Sequence, residues 1–172
     1  MEEFDFFKIC EKCKDEECCR EPYYAFIAEN EIKRISNKIK ELNLEIGDKS
    51  EDFIDIEVVY YNNEPLHFKV IKKINEKCVF LKNRRFCLIN EVKPFDCKIW
   101  PLTYDYFPKE NKLVIYLGDC PLTKKIPKSW INSTIEEIKK ELKKRTKEEL
   151  ISYSILERDD TLKIIKEIPD FL

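Results

Sequence analysis

The sequence predicts an α+β fold in which a small antiparallel sheet of short hairpins carries cysteine loops, covered by helices from the N-terminal third and the C-terminal quarter. Three observations predict it. The middle of the chain is a series of β-branched and aromatic runs broken by polar turns, the two flanks carry apolar residues at helical spacing, and eight cysteines fall in or beside the turns. At 172 residues the chain is long enough for one compact domain, and it is read as one, 1–172.

Taken in order, Pro22 to Ile27 is aromatic and favours a short extended piece. From Glu29, Ile32, Ile35, Ile39 and Leu42 recur at steps of three and four, the mark of an amphipathic helix whose stripe is core, with Gly47 just beyond its end. Phe53 to Tyr61 and Leu66 to Ile71 read as a hairpin turned by Asn62-Asn63-Glu64-Pro65. A second hairpin is expected around Lys82 to Arg85, flanked by Cys78-Val-Phe-Leu81 and Phe86-Cys-Leu-Ile89, which would bring Cys78 near Cys87. A third joins Tyr104–Phe107 to Lys112–Leu117 across Pro108 to Asn111 and delivers Cys120 at a strand end.

The chain then turns helical from Ser129, with Ile131, Ile135, Ile138 and Leu142 as the apolar stripe. Ser133 with Glu136 and Thr146 with Glu149 resemble capping boxes, and a last short helix is expected after Asp160. The charge run from Lys139 to Arg145 reads as a solvated helix face.

Thirty-two basic residues against 34 acidic ones, a net charge of -2, give no global pull toward nucleic acid or anionic lipid. Gly47 and Gly118 are the only glycines, so neither a dinucleotide-binding turn nor a P-loop is present. Met1 to Lys8 carries three acidic residues and no apolar h-region, which points to a cytoplasmic protein without a membrane span.

Cysteine density carries the chemistry. Cys10, Cys13, Cys18 and Cys19 fall within ten residues, and a C-x2-C loop lets two sulfurs converge on Zn2+ or an iron-sulfur cluster. Disulfides are the alternative, a stapled interaction module, but adjacent Cys18 and Cys19 would each need a distant partner. The second half, Cys78, Cys87, Cys97 and Cys120, can be gathered only by folding. Lys93-Pro94-Phe95-Asp96-Cys97 and Trp100-Pro101 stiffen the approach to Cys97, and Pro121 follows Cys120.

These residues together resemble the YkgJ-type family, described as carrying a zinc- or iron-chelating domain. The family signature is a C-x2-C stretch leading to C-C, then C-x-F-L, C-x-I and R-P-x-x-C with a nearby proline. Here the corresponding residues are Cys10 and Cys13, Cys18-Cys19, Cys78-Val-Phe-Leu81, Cys87-Leu-Ile89, Lys93-Pro94-Phe-Asp-Cys97 and Pro101. Lys93 stands in place of the family's arginine, keeping charge but losing a forked donor. A glycine common in the turn before the second-half cysteine is replaced within Lys82 to Arg85.

The family-like core covers about residues 10–121, with a helical extension over about 128–172. The resemblance implies metal ligation by Cys10, Cys13, Cys18, Cys19, Cys78, Cys87 and Cys97, with Cys120 as an eighth, and a 4Fe-4S cluster ahead of zinc. A related cysteine pattern occurs in flagellin lysine N-methylases, implying as an alternative a cluster-dependent, S-adenosylmethionine-using enzyme that modifies a protein substrate.

Other candidates have bland readings. His67, the only histidine, reads as packed or surface imidazole. Asp15, Glu16 and Glu17 read as solvent-facing loop carboxylates that could tune a cluster's potential, and Arg84, Arg85 and Lys93 could bind an anion. Tyr60, Tyr61, Tyr104 and Tyr106 are expected to pack on the sheet.

Overall fold

The computed structural model describes residues 17–19, 23–46, 52–82, 86–120, 123–155 and 162–172. Helices and short antiparallel sheets are both present, an α+β architecture. The described residues group into two compact units, one from 10–57 and 68–98, the other from 58–67 and 99–172. Among them no helix is long and apolar enough to cross a membrane.

The first unit begins with an extended segment, as its aromatic run predicts. Phe26 forms a bridge with Val70, Ile27 N–H donates to the Lys69 carbonyl at 2.9 Å, and Ile71 N–H donates to that of Ala25 at 2.9 Å. Pro22 lies outside the described residues. Helix α1, Glu29–Glu41, follows, with Glu29 and Glu31 in its first turn and Lys38 and Lys40 in its last, each complementing the helix dipole. Ala28 at the N-cap has no side-chain acceptor, so the helix start is satisfied from inside, by Glu31 reaching back to the Ala28 N–H at 3.0 Å.

Ile32, Ile35 and Ile39 are buried as their spacing requires, but Leu42 is 40% exposed. It is the C-cap, one position past the last helical residue, and the chain leaves the helix axis at Asn43 with φ 49°. Gly47 lies outside the described residues. The three isoleucines join Ile27, Phe53, Ile71, Phe80 and Ile89 in one core cluster, in which the Phe53 and Phe80 rings sit 5.6 Å apart.

Strands β1, Ile54–Tyr61, and β2, Glu64–Ile71, form the first hairpin. Its turn is shorter than the four residues the sequence suggests. Asn62 and Asn63 take φ of 50° and 66°, the left-handed pair that suits a tight two-residue hairpin, so Glu64 and Pro65 already belong to the strand. Tyr60 does not pack on the sheet as the sequence predicts. Tyr60 is 69% exposed and shares its face of β1 with exposed Ile56 and Val58, because a two-stranded hairpin covers only one side.

Strands β3, Lys73–Ile74, and β4, Lys77–Cys78, form a small hairpin the sequence reading did not anticipate. Its signal was Asn75-Glu76, both at positive φ. Strands β5, Leu81–Lys82, and β6, Phe86–Cys87, pair as expected, Leu81 opposite Cys87, while residues 83–85 of their turn lie outside the described ones. A short helix α2, Phe95–Ile99, ends the segment.

In the second unit, β7, Leu102–Phe107, pairs with β8, Lys112–Leu117, in the predicted third hairpin. The expected terminal helix is instead a strand, β9, Lys163–Ile168, which extends the sheet along β8. Ile164, Ile165 and Ile168 are β-branched and gain more from a paired, half-buried edge than from a short helix. Asp160 is not among the described residues.

Helix α3, Lys128–Leu142, buries Ile135, Ile138 and Leu142 but leaves Ile131 only half-buried. Ser133 lies mid-helix and donates to the Trp130 carbonyl at 2.9 Å, so it is no cap. Thr146 is one. Its N–H donates to Glu149 at 2.7 Å and its hydroxyl accepts from Glu149 N–H at 3.2 Å, opening helix α4, Lys147–Ser154.

Helix α4 packs on β7 through Tyr153, whose ring stacks on Tyr104 at 4.4 Å. Tyr104 and Tyr106 are buried as expected. The run from Lys139 is largely a solvated face, with Lys139 paired to Glu136 and Lys144 to Glu141. Arg145 departs from it, buried and donating to the Tyr104 hydroxyl at 2.8 Å.

Gly118 is needed for space. Its N–H donates to the Pro101 carbonyl at 2.8 Å, and a Cβ there would come within 2.7 Å of the Trp100 ring. Gly118→Ala is expected to cost about 1–3 kcal/mol, the usual penalty of overpacking, read as a lower urea midpoint at unchanged slope.

Candidate metal centre

The sulfur chemistry gathers in the first unit. Five of the eight predicted ligands are described there, Cys18, Cys19, Cys78, Cys87 and Cys97, placed by a 3-10 turn, two strand ends and a short helix. Glu17–Cys19 is a single 3-10 turn that sets the Cys18 and Cys19 sulfurs 4.0 Å apart. Cys78 ends β4, Cys87 ends β6, and Cys97 lies inside α2.

Cys78 and Cys87 share one construction. After each, the chain turns, and the residue two positions on is fully buried in the core: Phe80 after Cys78, Ile89 after Cys87. The backbone N–H of Phe80 beside Cys78, and that of Ile89 beside Cys87, each act to lower the thiol's pKa. The two turns are tied by Leu88 N–H donating to the Phe80 carbonyl at 2.9 Å. A large apolar residue at the second position after the cysteine thus anchors the turn and sets its amide beside the thiol. An N–H donor of this kind favours the thiolate form.

Burial works the other way. Desolvation pushes the Cys78 thiol up to about 12, against which the Phe80 N–H and nearby Lys73 act, while Cys19 and Cys87 add to the rise. Cys87 is raised by burial and by Cys19, and opposed by the Ile89 N–H and Lys93. Cys97 is raised well above the ordinary thiol value by burial, with Cys78, Cys87 and Cys19 adding to it and Lys93 opposing. Cys19, Cys78, Cys87 and Cys97 therefore lie close enough to feel one another's charge, as the hairpin argument predicts for Cys78 and Cys87. Lys73 and Lys93 supply positive charge beside them. Lys93 is only 7% exposed, so its charge acts with little screening by water.

The segment carrying Cys97 is held from α1. Glu31, 4% exposed, accepts from the Phe95 N–H at 2.7 Å, and Arg34 donates to the Lys93 carbonyl at 3.1 Å. Asp96 accepts from the Phe26 N–H at 3.0 Å, tying the same turn to the extended segment. Lys38 bonds Glu91 at 2.8 Å, which raises the Lys38 pKa and lowers that of Glu91. None of Glu31, Arg34, Asp96 or Lys73 was singled out from sequence. A carboxylate that caps one helix from another leaves no local pattern.

The remaining predicted residues fall elsewhere. Cys10 and Cys13 lie outside the described residues, as do Asp15, Glu16, Arg84 and Arg85, and the Glu17 side chain. Cys120 belongs to the other unit, buried just past the end of β8. His67 is exposed on β2. No disulfide joins any two of the six described cysteines. Among the described residues, no three His, Cys, Asp or Glu side chains stand close enough together to hold a metal ion.

The raised thiols make a prediction for the metal-free protein. An unfolded cysteine loses its proton near pH 9, whereas Cys78 in the fold keeps it to about 12. Over that interval the folded state binds the extra proton, so the contribution is full below about pH 8.5 and is lost as pH climbs toward 12. The thermal midpoint is expected to fall across this range, and less steeply in Cys78→Ala.

No family model, no curated protein and no solved structure matches this chain.

Proposed function

We propose that this is a metal-binding protein whose cysteines hold an iron-sulfur cluster, of the 4Fe-4S kind ahead of zinc, with ligands drawn from Cys10, Cys13, Cys18, Cys19, Cys78, Cys87 and Cys97. The observation that carries the reading is that thiols from separate parts of the chain, Cys19, Cys78, Cys87 and Cys97, bear on one another's charge, with Cys78 and Cys87 set in turns anchored by buried Phe80 and Ile89. Thiols with raised pKa values, as at Cys78, Cys87 and Cys97, are poor nucleophiles when neutral, and binding a cation is the change that would let them ionise. The donor set is all sulfur, which suits zinc and iron-sulfur centres over harder ions.

Cys10, Cys13 and Cys18 remain candidates for the same centre, through the C-x2-C and C-C spacings of the YkgJ-type resemblance. Cys120, in the other unit, has no comparable support. Preference for a cluster follows that resemblance. A reducing, cytoplasmic compartment fits free thiols at Cys78, Cys87 and Cys97.

An anaerobic preparation tests the reading directly. A brown protein absorbing near roughly 400 nm supports the cluster, and a colourless one retaining zinc supports a structural metal. A colourless protein that takes up neither metal overturns the proposal.

A further inference from the structure

Strand β2 is engaged along both edges. On one side it pairs with β1, and on the other the Lys69 carbonyl accepts from the Ile27 N–H at 2.9 Å while the Ile71 N–H donates to the Ala25 carbonyl at 2.9 Å. Strand β1 has β2 on one side only, and among the described residues no backbone hydrogen bond reaches its other edge. Successive residues of a strand direct their backbone groups to opposite edges. The two-residue Asn62-Asn63 turn makes Tyr61 and Glu64 the first pair of the hairpin, so Glu57, Val59 and Tyr61 turn their N–H and C=O groups to β2, and Ile56, Val58 and Tyr60 turn theirs outward.

This edge lacks the usual guards. A free edge is normally blunted by lysine, proline or a bulge. Strand β9, an edge of the three-stranded sheet, has Lys163, Lys166 and Glu167 among its six residues. Strand β1 has no lysine or proline among its eight, Ile56, Val58 and Tyr60 on its uncovered face are all exposed, and its two charges, Asp55 and Glu57, lie in its first half.

We propose that β1 is a self-association edge: two copies of the chain pair their β1 strands antiparallel about a two-fold axis, joining two hairpins into one four-stranded sheet. Charge selects the register. With Val58 opposite Val58 of the second copy, Ile56 faces Tyr60, Glu57 faces Val59 and Asp55 faces Tyr61, so no acid meets an acid and the exposed residues form β-branched and aromatic cross-strand pairs. Centring the pair on Glu57 would set the two Glu57 carboxylates face to face, and centring it on Ile56 would set Asp55 against Glu57. Centring it on Val59 would run Ile56 against Asn62 of the turn. In the Val58 register the outward backbone groups of Ile56, Val58 and Tyr60 bond those of Tyr60, Val58 and Ile56, as an antiparallel ladder requires. One strand pair with three apolar side chains from each copy is a small interface, so the dimer is weak and dilute protein is monomeric. The proposal is independent of the metal reading.

Sedimentation equilibrium of the full chain, under reductant so that no cysteine joins two copies, tests it. Wild type is expected to pass from the monomer mass to twice that mass in the high micromolar range. Val58→Lys and Val58→Glu, at an exposed position, each set like charges face to face and are expected to stay monomeric there. An equal mixture of the two variants is expected to recover the dimer, because the Val58 register sets lysine opposite glutamate. Ile164→Lys, on exposed β9, is expected to leave association unchanged. Wild type that stays monomeric throughout, growth past the dimer, a dimer that survives in Val58→Lys, or a mixture that stays monomeric while wild type associates would each overturn the proposal. Should the Val58 variants fail to fold, amide hydrogen exchange in wild type decides. The N–H groups of Ile56, Val58 and Tyr60 are expected to exchange more slowly as concentration rises, with those of Glu57 and Val59 unchanged. Rates at Ile56, Val58 and Tyr60 that do not respond to concentration would overturn the proposal.

Discussion

Cys97→Ser is expected to abolish tight metal retention and to collapse the difference in thermal midpoint between loaded and metal-free protein. A structural metal of this type contributes on the order of 10 kcal/mol, as much as the whole stability of an ordinary domain. Burial raises the Cys97 thiol well above its ordinary value, with Cys78, Cys87 and Cys19 adding to the rise and buried Lys93 opposing it. Serine is a poor ligand for a soft metal, and a missing ligand leaves the others an incomplete set. Loaded wild type should melt well above its chelator-treated form. Cys97→Ser should melt near the chelator-treated form with or without metal, because the metal-free proteins differ only by one sulfur. Equal midpoints for wild type with and without chelator would remove the metal from the stability account.

Phe53→Ala is expected to have the next largest effect, about 3–5 kcal/mol of lost stability. Phe53 is completely buried, packs its ring 5.6 Å from Phe80, and gives its carbonyl to the Lys72 N–H at 2.8 Å. It therefore joins the isoleucine face of α1 to the residue whose amide acts on the Cys78 thiol. Removing the ring leaves a void beside Phe80 that the surrounding isoleucines can close only partly. Urea unfolding of metal-free protein measures the loss. Tyr60→Ala, on the exposed face of β1, is the control and should stay within about 0.5 kcal/mol of wild type.

Those two predictions draw on features of unequal legibility in the sequence. Helix α1 is plain in it, because isoleucine at steps of three and four has only one good periodic solution. The hairpins around Asn62-Asn63 and Pro108 to Asn111 are also plain, because turn residues bound their strands. Three features are not. The terminal strand β9 reads equally as a short helix, since Lys-Ile-Ile-Lys-Glu-Ile satisfies both periods at six residues, and only pairing with β8 decides. Tyr60 looks like any strand aromatic, and its exposure follows from how many strands the sheet has, which no local signal states. Arg145 reads as one more cation in a charged run, yet it is buried against Tyr104, 41 residues away in sequence.

The candidate site divides in the same way. The cysteines were visible because their spacing is improbable, and the nearness of Cys78 to Cys87 followed from the hairpin between them. The reason for the large apolar residue two positions after each became clear only with Phe80 and Ile89 in the core and their amides beside the thiols. Glu31 and Lys73 act on the thiol region from 64 and five residues away from the groups they serve, through contacts that no motif encodes.

The central claim is that sulfurs from separate parts of the chain serve one inorganic centre, and elemental analysis of anaerobically purified protein combined with cysteine alkylation mapping tests it most directly. The account predicts stoichiometric iron with acid-labile sulfide, or zinc, and protection of Cys19, Cys78, Cys87 and Cys97 that chelation abolishes. Protein without iron or zinc, in which those four cysteines alkylate at the same rate before and after chelation, would contradict it.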